Sequence, residues 1–270
     1  MIVKGIVHCH SSASHDATVD LATLATAISR AGFQFVAMTE HSADISPDRY
    51  LAYVHECARL TNASFLVIPG LEVECENEIE VAGLGLTRPV AEGSVEEVVA
   101  RVREQGGCTV WVHPFKRNLP EQVPPEYDTV EVLNGKVDGT VAPSFSALRL
   151  ARRQRRDDGR PHAIFGLDLH NLDESPCVWV ECSVPTLTGE AVVAALRHGH
   201  FVNRAGRLSL PSSGRLSPAG LAACASLRAA SLTWDWLLRV SHPRVRTALL
   251  SLTRRCVARI KAESTKPLHR

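Results

Sequence analysis

Over its first two hundred residues the chain alternates short β-rich apolar runs with amphipathic stretches, a rhythm that confines it to repeated βα units around a parallel sheet or barrel. The runs cover residues 2–8, 33–39, 65–69, 79–84, 109–113, 129–133 and 163–166. Helical periodicity fills the gaps at 19–31, 47–60, 95–105 and 142–158, with Leu21, Leu24, Ala27 and Ile28 on one stripe of the first. Gly32 and Gly106-Gly107 are natural stops. At 270 residues and 45% hydrophobic content, such a chain can bury a full core. Composition shifts after Phe201: residues 210–215 read as a linker, and 219–262 as helices interrupted near His242-Pro243. The expected organisation is one domain over 1–205, then a linker and helical C-terminal extension over 206–270.

Charge excludes little and points nowhere in particular. Thirty Lys and Arg against 29 Asp and Glu give no global field that argues for nucleic acid, although the last forty residues are locally basic. The chain opens straight into a strand without a leader pattern, and no run of about 18 apolar residues suggests a membrane span, so a cytoplasmic protein without an integral membrane segment is expected. Eight cysteines include no C-x-x-C pair, as suits buried thiols in a reducing compartment.

The chemistry gathers at the strand ends. The first run leads into His8-Cys9-His10, where strand alternation puts both imidazoles on one face and Cys9 on the other. Taken alone they are either a metal pair or two surface histidines. Later runs deliver Glu40-His41, Leu71-Glu72, His113-Pro114 and Asp168-Leu169-His170 in the same way. In a parallel barrel all such ends meet at one mouth. Independent surface histidines have no reason to track strand ends so consistently.

With these motifs in order (His8-x-His10 with Ser11 and Asp16, Thr39-Glu40-His41, Pro69-Gly70-Leu71-Glu72, His113-Pro114 with Arg117, and Gly166-Leu167-Asp168-Leu169-His170), the chain resembles the PHP, or polymerase and histidinol phosphatase, superfamily over residues 1–205. The resemblance implies an α/β fold, a distorted TIM-like (β/α)7 barrel of the PHP type, holding two or three divalent ions (Mn, Fe or Zn) at its C-terminal mouth. It also implies that His8 and His10 hold one metal with Glu72 and Asp168, that Glu72 bridges to a second ion served by His113, and that His41, His170 and Asp16 surround a further position. Asp168, Glu72 and His170 become the residues on which catalysis depends. The implied reaction is hydrolysis of a phosphomonoester or phosphodiester by metal-activated hydroxide at a multinuclear site. A small metabolite, a nucleotide or a short nucleic acid is the expected substrate.

This chain departs from the family pattern in three places. Either His15 or Asp16 can supply the ligand after the first motif. Glu40 stands where relatives often carry Asp. Glu80 stands where many relatives carry His, and either replaces a nitrogen ligand with oxygen, shifting preference towards Mn or Fe, or marks a lost position. For phosphate, Lys116 and Arg117 are the best candidates by charge and bidentate geometry, against a plain surface pair; Arg204 is weaker. Asn134 reads either as a site residue or as the start of an Asn-Gly turn. The arginine-edged apolar stripes of the C-terminal extension are candidates for a homo-oligomer contact or a peripheral membrane contact. Two other functions stay open: a non-catalytic regulatory module binding a partner, and a metal-dependent hydrolase of a non-phosphate bond.

Overall fold

The apolar runs become strands and the periodic stretches become helices because each buries one face against the other. The structure is a computed structural model and describes residues 1–115, 127–138, 142–172, 178–206 and 208–240. Its elements, in chain order, are β1 (Ile2–Val7), α1 (Leu21–Arg30), β2 (Phe35–Ala37), β3 (Glu40–His41), α2 (Pro47–Leu60), β4 (Leu66–Ile68), β5 (Gly70–Glu74) and β6 (Glu80–Leu84). There follow α3 (Val95–Glu104), β7 (Cys108–Trp111), β8 (Thr129–Asn134), α4 (Phe145–Arg153), β9 (His162–Gly166), β10 (Val178–Ser183), α5 (Gly189–Arg197), β11 (Phe201–Ala205), β12 (Leu208–Pro211) and α6 (Pro218–Val240). Side-chain caps set the helix starts: Asp20 accepts from the Thr23 N–H, and Ser94 and Glu97 form a reciprocal capping box.

Two six-stranded sheets result, ordered β12-β11-β10-β1-β2-β4 and β3-β5-β6-β7-β8-β9. They are mixed rather than parallel, which departs from the expected βα repeat. Pairs β1–β2, β2–β4, β3–β5, β7–β8 and β8–β9 are parallel, while β6 runs antiparallel to both its neighbours and β10, β11 and β12 pair antiparallel. The reason lies in chain length: residues 75–79 are too few for a parallel crossover, so β6 must turn back on β5. Backbone hydrogen bonds stitch one sheet to the other, with Leu167 N–H donating to the Val7 carbonyl (2.9 Å) and Asp168 N–H to the His8 carbonyl (2.8 Å).

The core is layered. One cluster draws alternate residues from strands of both sheets, among them Val7, Phe35, Ile68, Leu84, Val110 and Ile164, and packs them with Val192 and Leu196 of α5. A second cluster joins the opposite strand faces to helices α1 to α4. Gly5 is required here, since a Cβ would strike the Phe35 ring. Among the described residues no helix is long and apolar enough to cross a membrane.

The chain divides into two compact units, Met1–Ser217 and Pro218–Arg270. The second is described through α6, which exposes Leu221 and Leu227. The helical reading of residues beyond 240 lies outside the described residues.

Candidate metal centre

His8 stands just past the end of β1 with φ 68°, in the left-handed region. Asp168 (φ 56°) and His113 (φ 28°) adopt the same unusual region, beyond β9 and β7. Each such residue costs about 1–3 kcal/mol, and three together at one place are the strain expected of a functional site. The His8 and His10 rings do lie side by side, 5.3 Å between centroids, while Cys9 enters the core. Their convergence comes from the left-handed turn at His8 rather than from strand alternation. Residue 9 pairs in parallel with Leu169, so the His8-Cys9-His10 and Asp168-Leu169-His170 segments run alongside each other.

Four ligand atoms form the inner group. His8 Nε2 lies 3.4 Å from Glu72 Oε2 and 3.5 Å from Asp168 Oδ1; His10 Nε2 lies 3.3 and 3.6 Å from the same two oxygens. A tetrahedral ion bonded at about 2.0–2.1 Å holds its ligands about 3.3–3.4 Å apart. The Nε2 atoms of His8 and His10 are both buried with no hydrogen-bond partner among the described residues, which is costly unless something else engages them. Their other ring nitrogens are occupied: His8 Nδ1 faces Glu131 Oε1 at 2.9 Å and His10 Nδ1 faces Ser14 Oγ at 3.3 Å. That division of labour fixes a metal-ready tautomer. The residues therefore fit a divalent ion.

Glu72 turns its second oxygen the other way, with Oε1 2.9 Å from His113 Nε2. His113 Nδ1 is 3.1 Å from Glu80 Oε2, so Glu72, Glu80 and His113 form a second potential ligand group. The reversed direction of β6 brings Glu80 here, because the start of an antiparallel strand lies beside the C-terminal ends of its neighbours. An outer group joins His10, Asp16, His41 and His170. Asp16 Oδ1 lies 3.3 Å from His41 Nε2, and Asp16 Oδ2 lies 2.9 Å from His170 Nε2. His15 instead turns outward to Asp44 at 2.8 Å.

Charge is concentrated accordingly. Burial alone lowers the His8 pKa, but Asp168, Glu131 and Glu72 together lift it well above the ordinary histidine value. Burial works against the Glu72 carboxylate, yet the surrounding histidines, His8 foremost, hold it well below its usual range. His10 is pushed down to about 4 by burial, so it is neutral and keeps a lone pair at pH 7. Burial raises Glu40 to about 7 against hydrogen bonds donated by the Ser11 N–H and the Ser11 and Ser14 hydroxyls. Glu40 thus clamps the loop that carries Asp16, and the side chain of that motif that faces the outer group is His41.

Several residues that matter escape the motif reading. Glu131, buried in the middle of β8, faces His8 through one oxygen and accepts from the His113 N–H (2.7 Å) and the Asn134 amide (2.9 Å) through the other. A carboxylate inside the apolar run Val130-Glu131-Val132 was the available signal. Gly166 makes room for it, since a Cβ there would strike the Glu131 carboxylate. The Asn134 amide donates to Asp168 Oδ2 (3.1 Å), while its side-chain oxygen caps the Lys136 and Val137 N–H groups of the turn. Lys136 reaches the outer group with Nζ 3.0 Å from His170 Nε2. Arg204 pairs with Glu181 on β10, Nη2 to Oε2 at 2.7 Å, and is committed there. Lys116 and Arg117 lie outside the described residues.

No family model matches the chain, and no curated protein matches it in sequence. Solved structures match it in fold. A two-domain protein of Bacteroides vulgatus containing a predicted PHP-like metal-dependent phosphoesterase aligns at TM-score 0.59 and 15% identity, over 84% of this chain and 70% of that one. PsfC of Pseudomonas syringae aligns at TM-score 0.53 and 16% identity, over 85% of this chain and 98% of its own. The lesion-specific endonuclease EndoQ of Pyrococcus furiosus aligns at TM-score 0.52 and 15% identity, over 80% of this chain and 60% of its own. The motif resemblance is thus met by structural neighbours that include PHP-like metal-dependent phosphoesterases.

Proposed function

We propose that this chain is a metal-dependent phosphoesterase of the PHP type, its two sheets forming the distorted (β/α)7 barrel that the motifs imply, with the catalytic residues all within 1–205. One observation carries the reading: four buried ligand atoms from His8, His10, Glu72 and Asp168 stand at the mutual spacing of a tetrahedral metal shell, two of them imidazole nitrogens with no hydrogen-bond partner among the described residues. Glu72 would bridge to a second ion held with His113 and Glu80, and Asp16, His41 and His170 would surround an outer position. Divalent ions bound there supply Lewis acidity towards a phosphoryl oxygen and lower the pKa of a water.

The chain's own residues do the rest. Glu131 keeps His8 in its ligating tautomer, and the Asn134 amide orients Asp168. Ser11, Ser14 and Glu40 hold the loop that presents Asp16. Buried walls around the inner group exclude water and raise the worth of each charge. The carboxylate and imidazole set suits Mn, Fe or Zn, with Glu80 adding oxygen character to the second position. The likeness to a lesion-specific endonuclease is the ground for testing nucleic-acid phosphodiesters beside small phosphomonoesters.

The test is metal content of the purified protein together with Mn-, Fe- and Zn-supplemented hydrolysis of both ester classes, comparing wild type with Asp168→Ala. Bound ions and phosphate ester cleavage that the substitution abolishes support the reading. Ions bound without ester cleavage, or cleavage untouched by the substitution, would sink it.

A further inference from the structure

The inner and outer ligand groups differ in the charge that they can balance. Around the inner positions stand four carboxylates, Glu72, Glu80, Glu131 and Asp168, matching the charge of two divalent ions. Among the described residues the outer group has one carboxylate, Asp16, and beside it one ammonium. Lys136 Nζ lies 3.4 Å from Asp16 Oδ2 and 3.0 Å from His170 Nε2, two of the outer ligand atoms. His170 turns its Nδ1 to the Asp168 carbonyl at 2.9 Å and its Nε2 towards both the ammonium and Asp16. The backbone that carries the half-exposed lysine is held in place. Its N–H is capped by Asn134 Oδ1 (2.9 Å), and the Gly135 N–H before it donates to the Gly166 carbonyl (2.9 Å). The same Asn134 touches Glu131 and Asp168, so the backbone that carries Lys136 is tied to the inner group.

We propose that the outer position is a lysine-filled cation site: Lys136 takes the place of a third ion, and the chain loads two divalent ions. The proposal rests on the metal-centre reading for those two. A divalent ion at the same point would meet a positive charge a few ångströms away, and the lysine would have to leave Asp16 first.

The experiment is Mn²⁺ stoichiometry by equilibrium dialysis and calorimetry for wild type, Lys136→Met and Lys136→Arg. Two ions are expected in wild type and in Lys136→Arg. In Lys136→Met a third should bind, at least about tenfold tighter than any third ion in wild type. Equal stoichiometry and affinity in wild type and Lys136→Met, or three ions in wild type, overturns the proposal while leaving the metal centre standing. No bound Mn²⁺ in any of the three overturns both.

Discussion

The inner and outer ligand groups share a mouth but not a construction. Inner side chains are nearly sealed, with His8 at 1% exposure, His10 at 0% and Glu72 at 3%, whereas His41 and Asp16 of the outer group are 22% and 33% exposed. Inner ligands hang on strand ends locked by left-handed residues and by the Glu131 and Asn134 hydrogen bonds. The outer aspartate hangs on a loop held by serine hydroxyls. Sites on rigid elements hold geometry better than sites on loops. The inner group should therefore be intolerant of change and the outer one graded in its response.

The sharpest break in that comparison is His8→Ala. It deletes one of four cage atoms and takes from the buried Glu131 Oε1 its imidazole partner, so kcat/KM for phosphate ester hydrolysis should fall by at least about a thousandfold, with loss of one tightly held ion. Retained metal content would remove His8 from the cage. Gly166→Ala tests the same rigidity without touching a ligand. Its methyl enters the space of the Glu131 carboxylate and lies close to His8 Cβ, and overpacking of this kind should cost about 1–3 kcal/mol by urea denaturation. An unchanged midpoint would mean that the hub yields.

A second buried histidine supplies the contrast with His8. His162, at the start of β9, is pushed down to about 4 by burial, with Arg155 and Arg160 adding repulsion, and its Nδ1 has no hydrogen-bond partner among the described residues. The folded pKa lies below the unfolded value of about 6.5, so between the two the unfolded chain binds more protons. Its contribution is present in full above pH 6.5 and is lost as pH falls towards 4, by at most about 3 kcal/mol. Urea midpoints of wild type and His162→Asn, compared at pH 7 and pH 4.5, should differ in pH dependence by that group alone. Parallel profiles would show that His162 is not held neutral.

How far the sequence could be read follows from which forces are local. Strand-end histidines and carboxylates were legible because they sit beside apolar runs that can only be buried, and the structural neighbours carry the fold that those motifs resemble. Helix starts were legible to within a few residues, and the shifts, such as Leu21 for residue 19, come from side-chain caps like Asp20. The direction of β6 was not legible, since its run looks the same either way, and with it went the reason that Glu80 reaches the mouth. Strands β10 to β12 were missed because their alternating burial leaves short, polar-looking runs around Glu181 and Arg204. Glu131 and Lys136 were passed over because their partners are distant in sequence. A strand carboxylate gains meaning only when His8 and His113 are seen beside it.

Glu131→Gln weighs that hidden contribution. The amide keeps the shape and can accept from His113 and Asn134 but carries no charge towards His8, so metal affinity should fall about 10- to 100-fold with the fold intact. Rescue of activity at high metal concentration would mark Glu131 as a positioning residue rather than a catalytic one. The smallest effect belongs to the outer group. Asp16 is held down to about 2, since His170, His41 and Lys136 outweigh its partial burial. Asp16→Asn removes that charge from a half-open loop where solvent already screens it. A loss of about tenfold or less in kcat/KM, with the tightly held ions still bound, is expected by kinetics and metal analysis. A loss as deep as that of His8→Ala would erase the distinction between the groups, because an exposed loop carboxylate would then matter as much as a sealed cage.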